Sequence, residues 1–507
     1  MGRLITLTIK IFLILVPLFI TACDGSDSQP PAEPETSSSD DDGSTPVTAN
    51  DDYVYTRVNT QINIDAVAND TGDADASTVG ITSSPANAIV NIELDGSITY
   101  IPNADYIGLD SFSYSVSNGT SDDVAVVQIG VTAIPERVNV RSTGLVGAGL
   151  EANMDTDFPS IDLSSDGRYV VFHSEASNLV DGDTNDWSDA FVHDRDTGET
   201  KIVSSNGANA FPGLSITDDG SLVFYHDQGW EINVVDTSTL AVEKYFGVNG
   251  GNGVTASGDG RYFAFHSDQS HLLEDTNTKY DIYVYDRQDD VTIITSKSSI
   301  GVQALDDSDW PAISTDGTVV AYRSFASNLV IGDTNNQPDV FVTNIANGVT
   351  SLVSITPNGE QFDGGTNNAP GISSDGRYVV FAQDGTNDSG IFLRDTQAGV
   401  TTRIGGGGID PDISNDGRYA VYTAYQFAPI SGDLNNSTDI VVHDVQNGNS
   451  MLVVIGINSV MPNGNSISAA ISEDGKYIAF ASDTSNLVDA DTNSATDVFV
   501  VNNPLFR

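Results

Sequence analysis

The chain has 507 residues, with 71 Asp and Glu against 20 Lys and Arg, a formal net charge of −51. That length holds more than one domain, and that charge repels nucleic-acid phosphates and anionic lipid while favouring cations, basic partners or a saline medium. The single cysteine, Cys23, excludes an intrachain disulfide.

Arg3 and Lys10 flank the start of an apolar run over 11–20, which is too short and too near the beginning for an ordinary membrane span. The run closes with Ile20-Thr21-Ala22-Cys23, which resembles the lipobox of bacterial lipoproteins. The resemblance implies a signal peptide over 1–22, a lipid on Cys23, and a place in the bacterial cell envelope, facing periplasm or exterior. Residues 23–49 are rich in Ser, Asp, Pro and Glu. They carry too few apolar side chains to fold and are expected to form a flexible tether.

Over 50–133 the pattern changes to short alternating strands, of which six can be placed: 54–55, 62–64, 88–92, 97–100, 111–116 and 124–131. About seven such strands suit an immunoglobulin-like sandwich. The leading Asp51-Asp52, the Asn69-Asp70 loop and Gly108-Leu109-Asp110-Ser111-Phe112-Ser113-Tyr114 resemble the bacterial cadherin-like Ig-type repeats. Members of that family commonly stand in tandem in surface proteins, whereas here there is one copy.

From residue 137 onward one stretch repeats. At 370–381 it reads Pro-Gly-Ile-Ser-Ser-Asp-Gly-Arg-Tyr-Val-Val-Phe, and it recurs at 161–172, 214–225, 254–265, 311–322, 411–422 and 469–480. β-formers flank an Asp-Gly turn that supplies positive φ. The second strand is apolar on consecutive positions, as a strand covered on both faces must be. Neighbouring blades of a β-propeller provide that cover. Marker glycines from Gly167 to Gly475 are spaced 40–59 residues apart, enough for four strands each. The last unit stops after its third strand, and 137–142 is expected to supply the fourth and close the ring. The Asp-Gly-Arg/Lys-Tyr hairpins resemble the TolB-like, WD-repeat-like bacterial propellers. The expected fold is all-β: an Ig-like sandwich, then a seven-bladed propeller over 137–507.

Five units carry Asp-x-Asn-x-x-x-Asp between strands two and three: Asp183/Asn185/Asp189, Asp275/Asn277/Asp281, Asp333/Asn335/Asp339, Asp433/Asn435/Asp439 and Asp491/Asn493/Asp497. With Asp181, the first set matches positions 1, 3, 5 and 9 of an EF-hand-like loop. Calcium takes such oxygen ligands, but the closing Glu and central Gly are missing. A loop shaped by Asx-turns is the other reading.

At the end of strand two, units one to three carry His173, His226 and His266, and unit four carries Arg323. An unbulged hairpin register sets His173 opposite Pro159 beside Phe158, His226 opposite Pro212 beside Phe211, and Arg323 opposite Asp309 beside Trp310. Imidazoles, aromatics and a guanidinium near a channel mouth suit a sugar acid, another anion or a transition metal. Packing against the next blade is the competing reading.

No Gly-x-Ser-x-Gly elbow, phosphate loop or Cys-based zinc site occurs. Two classes of function remain: a non-catalytic envelope platform for a protein, peptide or glycan, or an enzyme such as a polysaccharide lyase with a site on the propeller face.

Overall fold

The computed structural model describes residues 45–142 and 160–507, apart from residues 182, 184–186, 205–210, 228, 248–252, 367, 386–388, 426–430, 490 and 494. The expectations for Cys23, the signal peptide, Phe158 and Asn185 lie outside the described residues.

The N-terminal domain is a sandwich of seven strands. Asp52–Arg57, Asp122–Thr132, Gly108–Ser117 and Asp75–Ser83 form one sheet, in that order; Ile62–Ile64, Ile98–Pro102 and Ala88–Ile92 form the other. Alternation along 108–117 buries Phe112, Tyr114 and Val116 against Tyr100, Val127 and Ile129. The acidic motif residues tie its corners: Asp70 accepts from Asn50 N–H at 2.7 Å and Tyr114 O–H at 3.1 Å. Asp110 accepts from Tyr100 O–H at 3.0 Å. The domain begins earlier than residue 50. Val47 is in its core and Thr48 bridges Thr71, so the last residues assigned to the tether belong to the fold.

Seven four-stranded antiparallel sheets follow. Their innermost strands are Ile161–Leu163, Phe211–Ile216, Val254–Ala256, Ser308–Ile313, Gly371–Ile372, Gly408–Ile413 and Ser466–Ile471. Each hairpin turn is built the same way. In blade one Ser164 Oγ donates to Asp166 and accepts from Tyr169 N–H, both at 2.9 Å, and Gly167 sits at φ 68°. A side chain there would also strike the blade-seven Tyr477 ring at 2.4 Å, so glycine is required twice over. The turn arginine reaches the end of the third strand, as in Arg168 to Asp194 at 2.9 and 2.7 Å. Apolar side chains of consecutive second-strand positions go to opposite interblade cores. Val171 packs with Leu214, Ile216 and Tyr225 of blade two, while Phe172 packs with Ala470 and Ala479 of blade seven.

Three features close the ring. Glu136–Arg137 is the fourth strand of blade seven, pairing Arg137 with Phe499 and Glu136 with Val500. The pairing continues through Val138 N–H to Val498 O at 2.9 Å and Asn139, which bonds Asp497 and Val498. The closing segment is therefore 136–139. Val140 and Ser142 already lie on Thr200 of blade one. At the hairpin face, backbone N–H groups link every blade to the next around the axis, in the acceptor order Asp218, Gly258, Thr315, Ser374, Asn415, Glu473, Ser165, at 2.9–3.2 Å.

The Ig-like domain is packed against blades six and seven, and residues 45–507 form one compact unit. Arg57 is buried and donates to Ile455 O at 2.9 and 2.6 Å and to Leu487 O at 2.7 Å. Thr56 Oγ1 meets Ser459 Oγ at 2.8 Å, and Tyr55 enters the apolar core that holds Val453, Val454 and Ile455.

Two outcomes follow. Deleting residues 136–139 should expose the third strand of blade seven and lower Tm by about 5 °C or more, with aggregation on size-exclusion chromatography; an unchanged Tm refutes closure by this segment. Arg57→Ala strands the Ile455 and Leu487 carbonyls and should cost about 2–4 kcal/mol in chemical denaturation.

Candidate functional site

The second-strand ends do not form an open site. His173, His226 and His266 are 2, 0 and 5 % exposed. Each lies on the strand side that faces the next blade: His173 shares its side with Val171, His266 with Ala264. Burial and the neighbouring His226 pull His173 down to about 3; burial and Arg323 pull His266 down to about 4. Imidazoles in such surroundings are core residues. They are not groups poised to bind an anion from solution. The register differs as well. Phe172 pairs with Ile161, so His173 falls opposite Ser160, one residue from the expected Pro159. The turn between the bonded pair Ser164 and Tyr169 spans residues 165–168, one residue more than flanks at Ser164 and Arg168 would leave, which shifts the register. His226 pairs with Phe211, because a bulge follows Phe211.

In blade four Arg323 does pair with Asp309, with a bulge between Asp309 and Ala312 that puts Trp310 at φ 49°. The guanidinium is already engaged. It holds Asp309 in a fork at 2.7 and 2.6 Å and lies over Trp310 at 3.7 Å from the ring centre and over Phe325 at 4.9 Å. The structure thus brings Arg323 and Trp310 together but spends the arginine on an internal carboxylate.

The Asp-x-Asn-x-x-x-Asp loops are closed by protein donors in blades three and four. Asp281 accepts from Ser296 Oγ and, at 2.8 Å, from Gln303 Nε2; Gln303 also reaches Asp275 at 2.7 Å. Asp339 accepts from Ser354 Oγ and from Asn335 at 3.0 Å, and Asp333 from Gln361 Nε2 at 3.2 Å. In blade seven Asn139 and Asn493 donate to Asp497 at 2.8 and 3.1 Å, with Arg137 3.3 Å away. In blade one Ser204 bonds Asp189 and Arg141 bonds Asp181. Asp183 and Asp491 also have interactions of their own. Among the described residues, no group of three His, Cys, Asp or Glu is placed to hold a metal ion. In blades three, four and seven the described Asp and Asn side chains are bonded by protein donors, as the loop reading expects.

A cleft of about 700 Å³ lies between blades two and three, lined by Tyr245, Arg261 and Arg287. Both arginines are paired, Arg261 to Asp286 at 2.6 Å and Arg287 to Glu243 at 2.8 Å.

The sequence reading passed over a polar cluster at the axis of the hairpin face. The residue between Ser (or Thr217 in blade two) and Asp-Gly in each turn enters the interblade ring, and its type varies freely: Ser165, Asp218, Gly258, Thr315, Ser374, Asn415 and Glu473. That variation within an otherwise constant turn was the available signal. Gly258 leaves space for Asp218, whose carboxylate would lie 2.2 Å from a side chain at that position. Thr315 Oγ1 lies 2.8 Å from Asn415 Oδ1 and 3.0 Å from Glu473 Oε1, and Asn415 Nδ2 lies 2.8 Å from Glu473 Oε2. Three contacts need three protons. Thr315 and Asn415 supply one each, whichever way the amide points, so Glu473 supplies the third as a carboxylic acid. Burial and the facing Asp218 push its pKa up, in agreement.

The comparisons with known proteins bear on the two domains separately. Residues 42–130 match the bacterial Ig domain family. The Ig domain is thereby identified over nearly the span that folds. Similar solved structures include oligogalacturonate lyase from Vibrio parahaemolyticus (13 % identity, 69 % of this chain and 90 % of that one, TM-score 0.45). They also include a putative TolB from Agrobacterium tumefaciens (17 %, 60 % and 94 %, 0.36) and TolB from Acinetobacter baumannii (13 %, 72 % and 78 %, 0.36). No curated protein matches in sequence.

Glu473 gives a pH dependence with a definite sign. Its folded pKa is raised, so its contribution is full below the ordinary carboxylate pKa and is lost as pH rises through the raised value. Glu473→Gln keeps the three contacts without a titrating proton. The wild type should lose about 2–4 °C of Tm relative to Glu473→Gln between pH 5 and pH 9. Parallel Tm profiles for the two proteins refute the assignment.

Proposed function

We propose that this protein is a lipoprotein of the bacterial envelope, held by a lipid on Cys23, whose propeller binds a protein, peptide or glycan without converting it. The observation that supports the reading is the Ig domain's attachment to blades six and seven through buried Arg57 and Tyr55. A domain packed in this way sets the ring at a fixed orientation on its stalk, which suits presentation of a surface. The acidic surface, at a formal −51, favours basic or cation-bridged partners over nucleic acid.

The test has two arms. Cys23→Ala should move the protein from the membrane to the soluble fraction; cleaved protein that stays with the membrane after a high-salt wash points to another anchor. The purified lipoprotein should bind a component of solubilised envelope saturably and return it unchanged. Conversion of that component into smaller products overturns the non-catalytic reading.

A further inference from the structure

Blade six breaks a pattern that blades three and four keep. The residues to compare are fixed by backbone bonds. Thr295, Val353 and Val453 N–H donate to Ile282, Val340 and Ile440 O at 2.8–2.9 Å. Ser298, Thr356 and Gly456 N–H donate to Val302, Glu360 and Val460 O at 2.7–2.8 Å. Asn277, Asn335 and Asn435 Nδ2 donate to Ala304, Phe362 and Pro462 O. This register puts Val454 where the other blades have Ser296 and Ser354, and Met461 where they have Gln303 and Gln361. Val441 likewise stands where Tyr283 donates to Asp275 in blade three.

Asp439 therefore sits in the position of Asp281 and Asp339 without either of their side-chain donors. It is 3 % exposed, and its Oδ2 has no hydrogen-bond partner. A buried carboxylate with its donors removed is strongly destabilising unless something neutralises it. The groups acting on it are Asp433, which adds like charge, and Asn435; no lysine or arginine is among them. Tyr55 of the Ig domain lies within the field of both carboxylates and brings no positive charge. The replacements have a clear origin. Val453, Val454 and Ile455 form the apolar surface that receives Tyr55 and Ala133, and Met461 packs against the same core.

We propose that the Asp433–Asn435–Asp439 loop of blade six binds a hard divalent cation of the calcium class, coordinated by the Asp433 and Asp439 carboxylates, at the edge of the Ig-domain contact. The cation takes the place that Gln303 and Gln361 side chains fill in blades three and four. Two carboxylates from one short segment form an oxygen donor pair suited to that ion, with water completing the shell; Asn435 Oδ1 is held on Ser437 N–H at 2.9 Å and shapes the loop. The site is independent of the partner-binding reading above.

The experiment uses the purified full-length lipoprotein, with calcium chloride as the probe. Wild-type Tm should rise by about 3–5 °C in saturating calcium relative to chelator. Val454→Ser combined with Met461→Gln restores the donors of blades three and four and should abolish the shift. Asp439→Asn should abolish it too, which keeps the test valid if the double variant folds poorly. A wild-type Tm that ignores calcium and magnesium overturns the proposal and leaves a proton as the neutralising species. A shift that persists in Asp439→Asn also overturns it, because the cation is then held elsewhere.

Discussion

Closing a ring of seven sheets without leaving an unpaired edge is the constraint on which the rest of this molecule depends. An open array would present bare N–H and C=O groups at its end strand. Here the strand preceding blade one completes blade seven, the turn residues bond around the axis, and each turn tyrosine lies on the next turn's glycine, with blade-seven Tyr477 reaching Gly167 of blade one. Glycine at the turns serves both the left-handed backbone and this close approach.

The same closure decides what the wedge between blades does to chemistry. A side chain that faces the next blade has no water to retreat to, so three histidines with ordinary sequence surroundings become core residues, and burial holds His173 and His266 well below the usual imidazole range. Basic residues are scarce and serve as internal struts. Arg168, Arg261, Arg377 and Arg418 each tie a turn to the aspartate that ends a third strand. What remains at the surface is acidic, and the net charge reflects this division of labour.

Attachment of the Ig domain has a cost inside blade six. Receiving Tyr55 and the Arg57 fork uses an apolar segment with free carbonyls, and that segment is where blades three and four keep the serine and glutamine that bond the loop aspartates. The interdomain contact and the orphaned carboxylate are two results of the same substitutions.

The sequence by itself determined the all-β class, the two domains, the blade number and the need for an N-terminal closing strand, because alternation, Asp-Gly turns and repeat spacing are local signals. It missed the strand Asp75–Ser83, since only Val79 of that edge is buried and no alternation shows. Which second-strand residues would meet solvent, and which Asp-x-Asn loops would find protein donors, only the tertiary structure decided. Both depend on residues brought from the next blade or from roughly 20 positions further along the chain. The turn's extra residue and the inner-strand bulges move the register, and no hydrophobic period records such a shift. The axial acid group was equally illegible, because Asp218 and Glu473 stand far apart in sequence and meet only where the ring closes.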